Sequence, residues 1–149
     1  MPYAHQTLTP TPRFHDLRSE WYPDGYVDAV IAAGAITAWS DGSVHPVERL
    51  GLLVYARRTG LSFLRRRDVL EFFDQQVDAL QHNPPAAAQA IFQLLRDLSD
   101  NRLAWTVLRA AEHVAAADLQ MRDAEVAALQ SIRLALGMGL DMYSAPLSG

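Results

Sequence analysis

Two stretches of the sequence carry the same pair of carboxylates at the same spacing. The first reads Asp41-Gly42-Ser43-Val44-His45-Pro46-Val47-Glu48 and the second Asp118-Leu119-Gln120-Met121-Arg122-Asp123-Ala124-Glu125. In each, an apolar residue, Val44 or Met121, stands three after the Asp. Carboxylate oxygens are hard donors, so a cluster of Asp41, Glu48, Asp118 and Glu125 would suit Ca, Mg or Mn. His45 lies between Asp41 and Glu48 and could add a nitrogen ligand, which would turn the preference toward Zn. A His beside a Pro at a helix start more often simply caps it.

Turn and cap chemistry offers a second account of the same residues. Asp-Gly is a common turn dipeptide, and a Glu near the third position of a helix satisfies free N–H groups without binding anything. Against that stands an Asp at the C-terminal end of a helix, where the helix dipole disfavours a carboxylate by a few tenths to ~1 kcal/mol. A bound cation would reverse the sign. If the two junctions face one another, their like charges need neutralising by a cation or an Arg. The spacing excludes an EF-hand, whose inner Gly sits midway along a longer ligand loop, whereas Gly42 directly follows Asp41.

Other chemistry has less to draw on. The chain has no cysteine, so thiolate metal sites, thiol nucleophiles and disulfides are excluded, and the redox compartment is left open. No P-loop, dinucleotide fingerprint, nucleophile elbow or His-Glu-x-x-His zinc motif occurs, so a hydrolase reading has little to stand on, while a metal-dependent enzyme that uses the acidic cluster to activate water stays open. Glu112-His113 precede Asp118 at spacings that point to other helix faces, which predicts a solvated or interface face. Arg57-Arg58 and Arg65-Arg66-Arg67 bracket a short loop that could hold phosphate, anionic lipid or an acidic partner, or could simply be solvated helix-end charge. Trp39, Phe72, Phe73 and Trp105 fall among aliphatic residues at helical spacing and read as core or subunit contacts.

The elements that must position these groups are helices throughout. Tyr26 to Ser40 is apolar nearly all round, the pattern of a buried helix, and stops at Ser40-Asp41-Gly42. A second helix should start at Pro46 and stop at Gly60, its Arg57-Arg58 end complementing the dipole. A third is expected from about Arg66 to Gln81, closed by His82-Asn83-Pro84-Pro85. Ala86 to Leu98, Arg102 to Ala117 and Asp123 to Leu136 complete the set, the last stopping at Gly137. No segment alternates as a strand would. The fold class is therefore all-α, a single-domain bundle of six to seven helices.

A chain of 149 residues suits one domain with a real core. Residues 1–24, with four prolines, read as a partly extended arm, 25–140 as the folded body, and 141–149 as a tail. The arm lacks the features of a secretory signal, which predicts a cytoplasmic protein. The longest uncharged apolar run, Ala29 to Trp39, is too short to span a bilayer. A formal charge of -4 with 17 acidic and 13 basic residues, every basic one an Arg, argues against a nucleic-acid binder.

Laying the second half on the first aligns Ala33 with Ala110, Ala38 with Ala115, Asp41 with Asp118, Glu48 with Glu125, Leu52 with Leu129 and Gly60 with Gly137. The bundle is thus expected to contain two pseudo-repeated helix-loop-helix units. With Ala32-Ala33 through Ser40-Asp41-Gly42 and Glu48, and with Ala115-Ala116-Ala117-Asp118 through Glu125 and Leu136-Gly137-Met138, the chain resembles the TerB-like tellurite-resistance family over about residues 26–140. Two departures stand out: Leu119 replaces the usual Gly of the second turn, and His45 and Arg122 occupy positions where the family has small polar residues. The resemblance implies a non-enzymatic helical domain in bacterial tellurite resistance or stress response. It would bind a divalent cation through Asp41, Glu48, Asp118 and Glu125 and work with a protein partner at the inner face of the membrane. The alternative is a metal-free helical protein-protein interaction module; a homo-oligomer is open under both.

Overall fold

A computed structural model describes residues 25–59, 61, 64–99, 102–117 and 121–138. Within these lie six helices and no strand: α1 (Tyr26–Trp39), α2 (Pro46–Arg58), α3 (Arg66–His82), α4 (Pro84–Arg96), α5 (Ala104–Ala115) and α6 (Asp123–Ala135). The expected arm, tail and Asp118 lie outside the described residues.

The apolar run of α1 places it at the centre. Every residue from Tyr26 to Ala38 is buried, and the helix packs most extensively on α5 and α3 while touching each of the others. Its many alanines let neighbouring helices come close. Gly34 marks the tightest approach, because a Cβ added there would stand 3.1 Å from Leu52 Cδ1 and 3.2 Å from Val114 Cγ2. Around α1 the core closes with Leu52, Phe73, Leu95, Leu108 and Ile132, all 2% exposed or less. A fully buried side chain of this size contributes roughly 1.5–3 kcal/mol. Thr37, polar but wholly buried, bonds its hydroxyl to the Ala33 carbonyl at 2.8 Å.

Helix ends fall within about two residues of the sequence expectation, and the break between α3 and α4 differs in kind. Pro84-Pro85 opens α4 instead of separating it from α3, since Pro suits a first turn that has no N–H partner to lose. Asn83 alone makes the break: its N–H bonds Ala79 O at 3.0 Å and its Oδ1 accepts from Ala86 N at 3.4 Å. Among the described residues no helix is long and apolar enough to cross a membrane.

Candidate functional site

The first junction forms where α1 runs out of apolar residues. Gly42 takes the left-handed conformation at φ 94° and bonds Trp39 O at 2.8 Å. Asp41 Oδ1 accepts the Ser43 N–H at 3.2 Å, a local turn bond of the kind Asp favours. Pro46 then starts α2, and Glu48 on its first turn accepts the His45 N–H through Oε1 at 2.9 Å. The second junction repeats that bond: Glu125 Oε1 accepts the Arg122 N–H at 3.0 Å. Both Glu side chains are wholly buried, so each offers one oxygen to a helix cap and carries the other into the protein.

The two junctions are neighbours. Arg122 Nε lies 3.5 Å from Asp41 Oδ2 and Arg122 Nη1 lies 4.0 Å from Glu125 Oε2. The Asp41 side chain is only 14% exposed and that of Arg122 33%. His45 Nε2 adds a weaker approach to Asp41 Oδ2 at 3.8 Å. One guanidinium therefore bridges an Asp from the first junction and a Glu from the second. It supplies the positive charge that converging carboxylates require.

Of the four residues expected to hold a cation, Asp41 and Glu125 are thus brought to a common centre and Glu48 is buried on the equivalent cap. Asp118 lies outside the described residues. The oxygen donors suit a hard ion. Their arrangement suits a guanidinium better, because Arg122 already occupies the space between Asp41 Oδ2 and Glu125 Oε2. Among the described residues no group of three or more His, Asp or Glu side chains is placed to hold a metal ion.

A second feature lies beside this centre. Val47, Leu50 and Val54 follow one another at three- and four-residue steps along one face of α2, and are 44%, 45% and 41% exposed. They line an open groove of about 650 Å³ whose other wall is α5, with Arg109, Glu112 and His113. Gly51 forms its floor: an added Cβ would stand 3.0 Å from Ala117 Cβ, so α2 and α5 touch at their backbones while their flanking side chains splay. Tyr55 closes one end, donating its hydroxyl to Thr106 O at 3.0 Å and meeting the His113 ring at 5.2 Å. Burial raises the Tyr55 phenol above its ordinary range, Arg109 lowers it and Glu112 raises it.

The junctions are legible in the sequence and the groove is not. The apolar residues of α2 are visible, but Leu52, Leu53 and Ala56 face the core while Val47, Leu50 and Val54 do not, and spacing alone does not rank two apolar faces of one helix. Trp105 was expected in the core or a contact. It is 42% exposed and lies between two guanidinium groups, Arg109 at 5.7 Å and Arg133 at 5.8 Å from the ring centre.

No protein-family model, curated protein or solved structure matches the chain.

Proposed function

We propose that the chain is a non-enzymatic helical interaction domain of the TerB-like kind. Arg122 neutralises its acidic junctions from within, and a partner's amphipathic helix seats in the groove between α2 and α5. The stripe Val47, Leu50 and Val54 carries this reading. Half-exposing three branched side chains forfeits burial worth roughly 1 kcal/mol each, while α2 keeps its own core contacts through Leu52, Leu53 and Ala56. A cleft between two helices with an apolar wall and a polar rim is what a third helix fills. The test is a photoactivatable cross-linking residue at position 50 or 54, used in the native cell. A discrete adduct is expected from both positions and none from exposed position 89 on α4; adducts from none, or equally from all three, would refute the groove.

A buried oxygen favours a second reading. Glu125 Oε2 makes no hydrogen bond among the described residues, and a carboxylate so placed could exchange Arg122 for a divalent cation held with Asp41, Glu48 and Asp118. Ca, Mg or Mn would fit the oxygen donors, Zn if His45 joined them. This is the role that the resemblance implies in bacterial tellurite resistance or stress response, with a protein partner at the inner face of the membrane. Under it, ions stabilise the chelator-treated protein by mass action; under the first reading they do not. Both readings place the domain in the cytoplasm.

A further inference from the structure

The charges of this acidic chain are unevenly spread. Residues 57–67 contain five of its 13 basic residues and no acidic one. Arg57 and Arg58 close α2, while Arg65, Arg66 and Arg67 open α3. Leu61 and Leu64 turn inward between them, 1% and 7% exposed, and fix the connection through Leu61 N to Ala56 O at 3.2 Å and Leu64 N to Leu61 O at 3.0 Å. All five arginines are exposed. Arg65 pairs with Asp68 at 3.2 Å; Arg57, Arg58, Arg66 and Arg67 form no ion pair among the described residues.

Folding does not account for this concentration. Arg57 and Arg58 complement the C-terminal end of the α2 dipole, but Arg65 to Arg67 stand at the N-terminal end of α3, where each positive charge is disfavoured. The five also repel one another. Beside them opens a pocket of about 520 Å³ lined by Arg49, Arg66, Arg67, Leu70, Glu71 and Asp74. Asp74 clamps Arg49 with bonds of 2.8 and 2.7 Å, which raises the Arg49 guanidinium further above its ordinary value against the opposing effect of burial. Arg49 is thereby spoken for, and Arg66 and Arg67 face the pocket with their forks open.

We propose that this basic pole binds an acidic segment of a partner protein, its carboxylates on Arg66 and Arg67 and an apolar side chain against Leu70. Guanidinium forks match carboxylates in two-bond geometry. Leu70 on the pocket wall offers an apolar contact beside the two open guanidinium forks, which a segment of mixed acidic and apolar side chains can use and a bare phosphate cannot. This surface is separate from the groove, and either proposal can fail without the other.

The measurement is fluorescence anisotropy of a labelled peptide of alternating Glu and Leu with the intact chain, across a salt series. Binding is expected, weakening as salt rises. The Arg66→Gln, Arg67→Gln double variant should bind about tenfold less tightly, and Arg96→Gln with Arg102→Gln should bind as the unaltered protein does. Matching thermal unfolding of the variants shows that the fold is retained. The proposal is overturned if the peptide does not bind, if its Gln and Leu counterpart binds equally, or if the Arg66, Arg67 change has no effect. Retention by phosphatidylserine vesicles or an oligonucleotide without peptide binding would also overturn it.

Discussion

Arg122 decides how the acidic residues are read. It lies within 3.5 Å of Asp41 and 4.0 Å of Glu125 Oε2, so a charge problem posed by two junctions is met by a side chain on one of them. Removing it would leave a buried carboxylate oxygen and a nearly buried Asp without that partner, a loss of about 1–3 kcal/mol. Tyr55 makes a separate prediction. The residue is 8% exposed and burial raises its phenol above the unfolded value of 10.0, so between the two pKa values the folded chain holds a proton that the unfolded chain has released. Stability should therefore fall as pH rises above about 10 and level off once the folded-state phenol has also ionised. Tyr55→Phe should lose about 1 kcal/mol at neutral pH with the Thr106 bond and show a shallower alkaline decline in denaturant titrations at stepped pH. An equal decline in both proteins would contradict the assignment.

At the scale of the element, α1 sets the architecture because it is apolar nearly all round and buried from Tyr26 to Ala38, and Gly34 sets how closely its neighbours approach. Gly34→Val would force branched methyl groups against Leu52 and Val114, already at contact distance from a single added carbon. The expected loss is about 2–3 kcal/mol, read as a lower urea midpoint; an unchanged midpoint would mean that α2 and α5 can move apart freely. The helices were readable because their signals are local. The all-round apolar run of α1, Pro46 at the head of α2 and Gly137 after α6 each act within one or two turns. Glu48 and Glu125 were readable as helix-start residues for the same reason, and both make the cap bond that their position allows. The contact between Arg122 and Asp41 was not readable, because it joins residues far apart in the chain and depends on how α1, α2 and α6 pack. The Asp-x6-Glu spacing is equally compatible with a cap or a ligand, so it could not choose between them.

For the whole molecule, the six helices bury one core around α1 and leave three distinctive surfaces: the Arg122 centre, the apolar groove beside it and the basic pole at the α2–α3 connection. The groove and the junctions share α2, since Glu48 is buried on the side of the helix away from Val47, Leu50 and Val54. A partner seated in the groove would thus press on a helix whose first turn is held by the acidic centre. The counter-charge of that centre is internal, supplied by Arg122. Thermal unfolding of chelator-treated protein, with and without Mg, Ca, Mn or Zn, tests this most directly. The account predicts no shift for the unaltered chain. Arg122→Ala should melt lower by about 2–4 °C per kcal/mol lost, with part of the loss recovered when an ion replaces the missing charge. A cation that raises the melting temperature of the unaltered chain by several degrees, with the rise abolished by Asp41→Asn, would contradict it and establish the metal site instead.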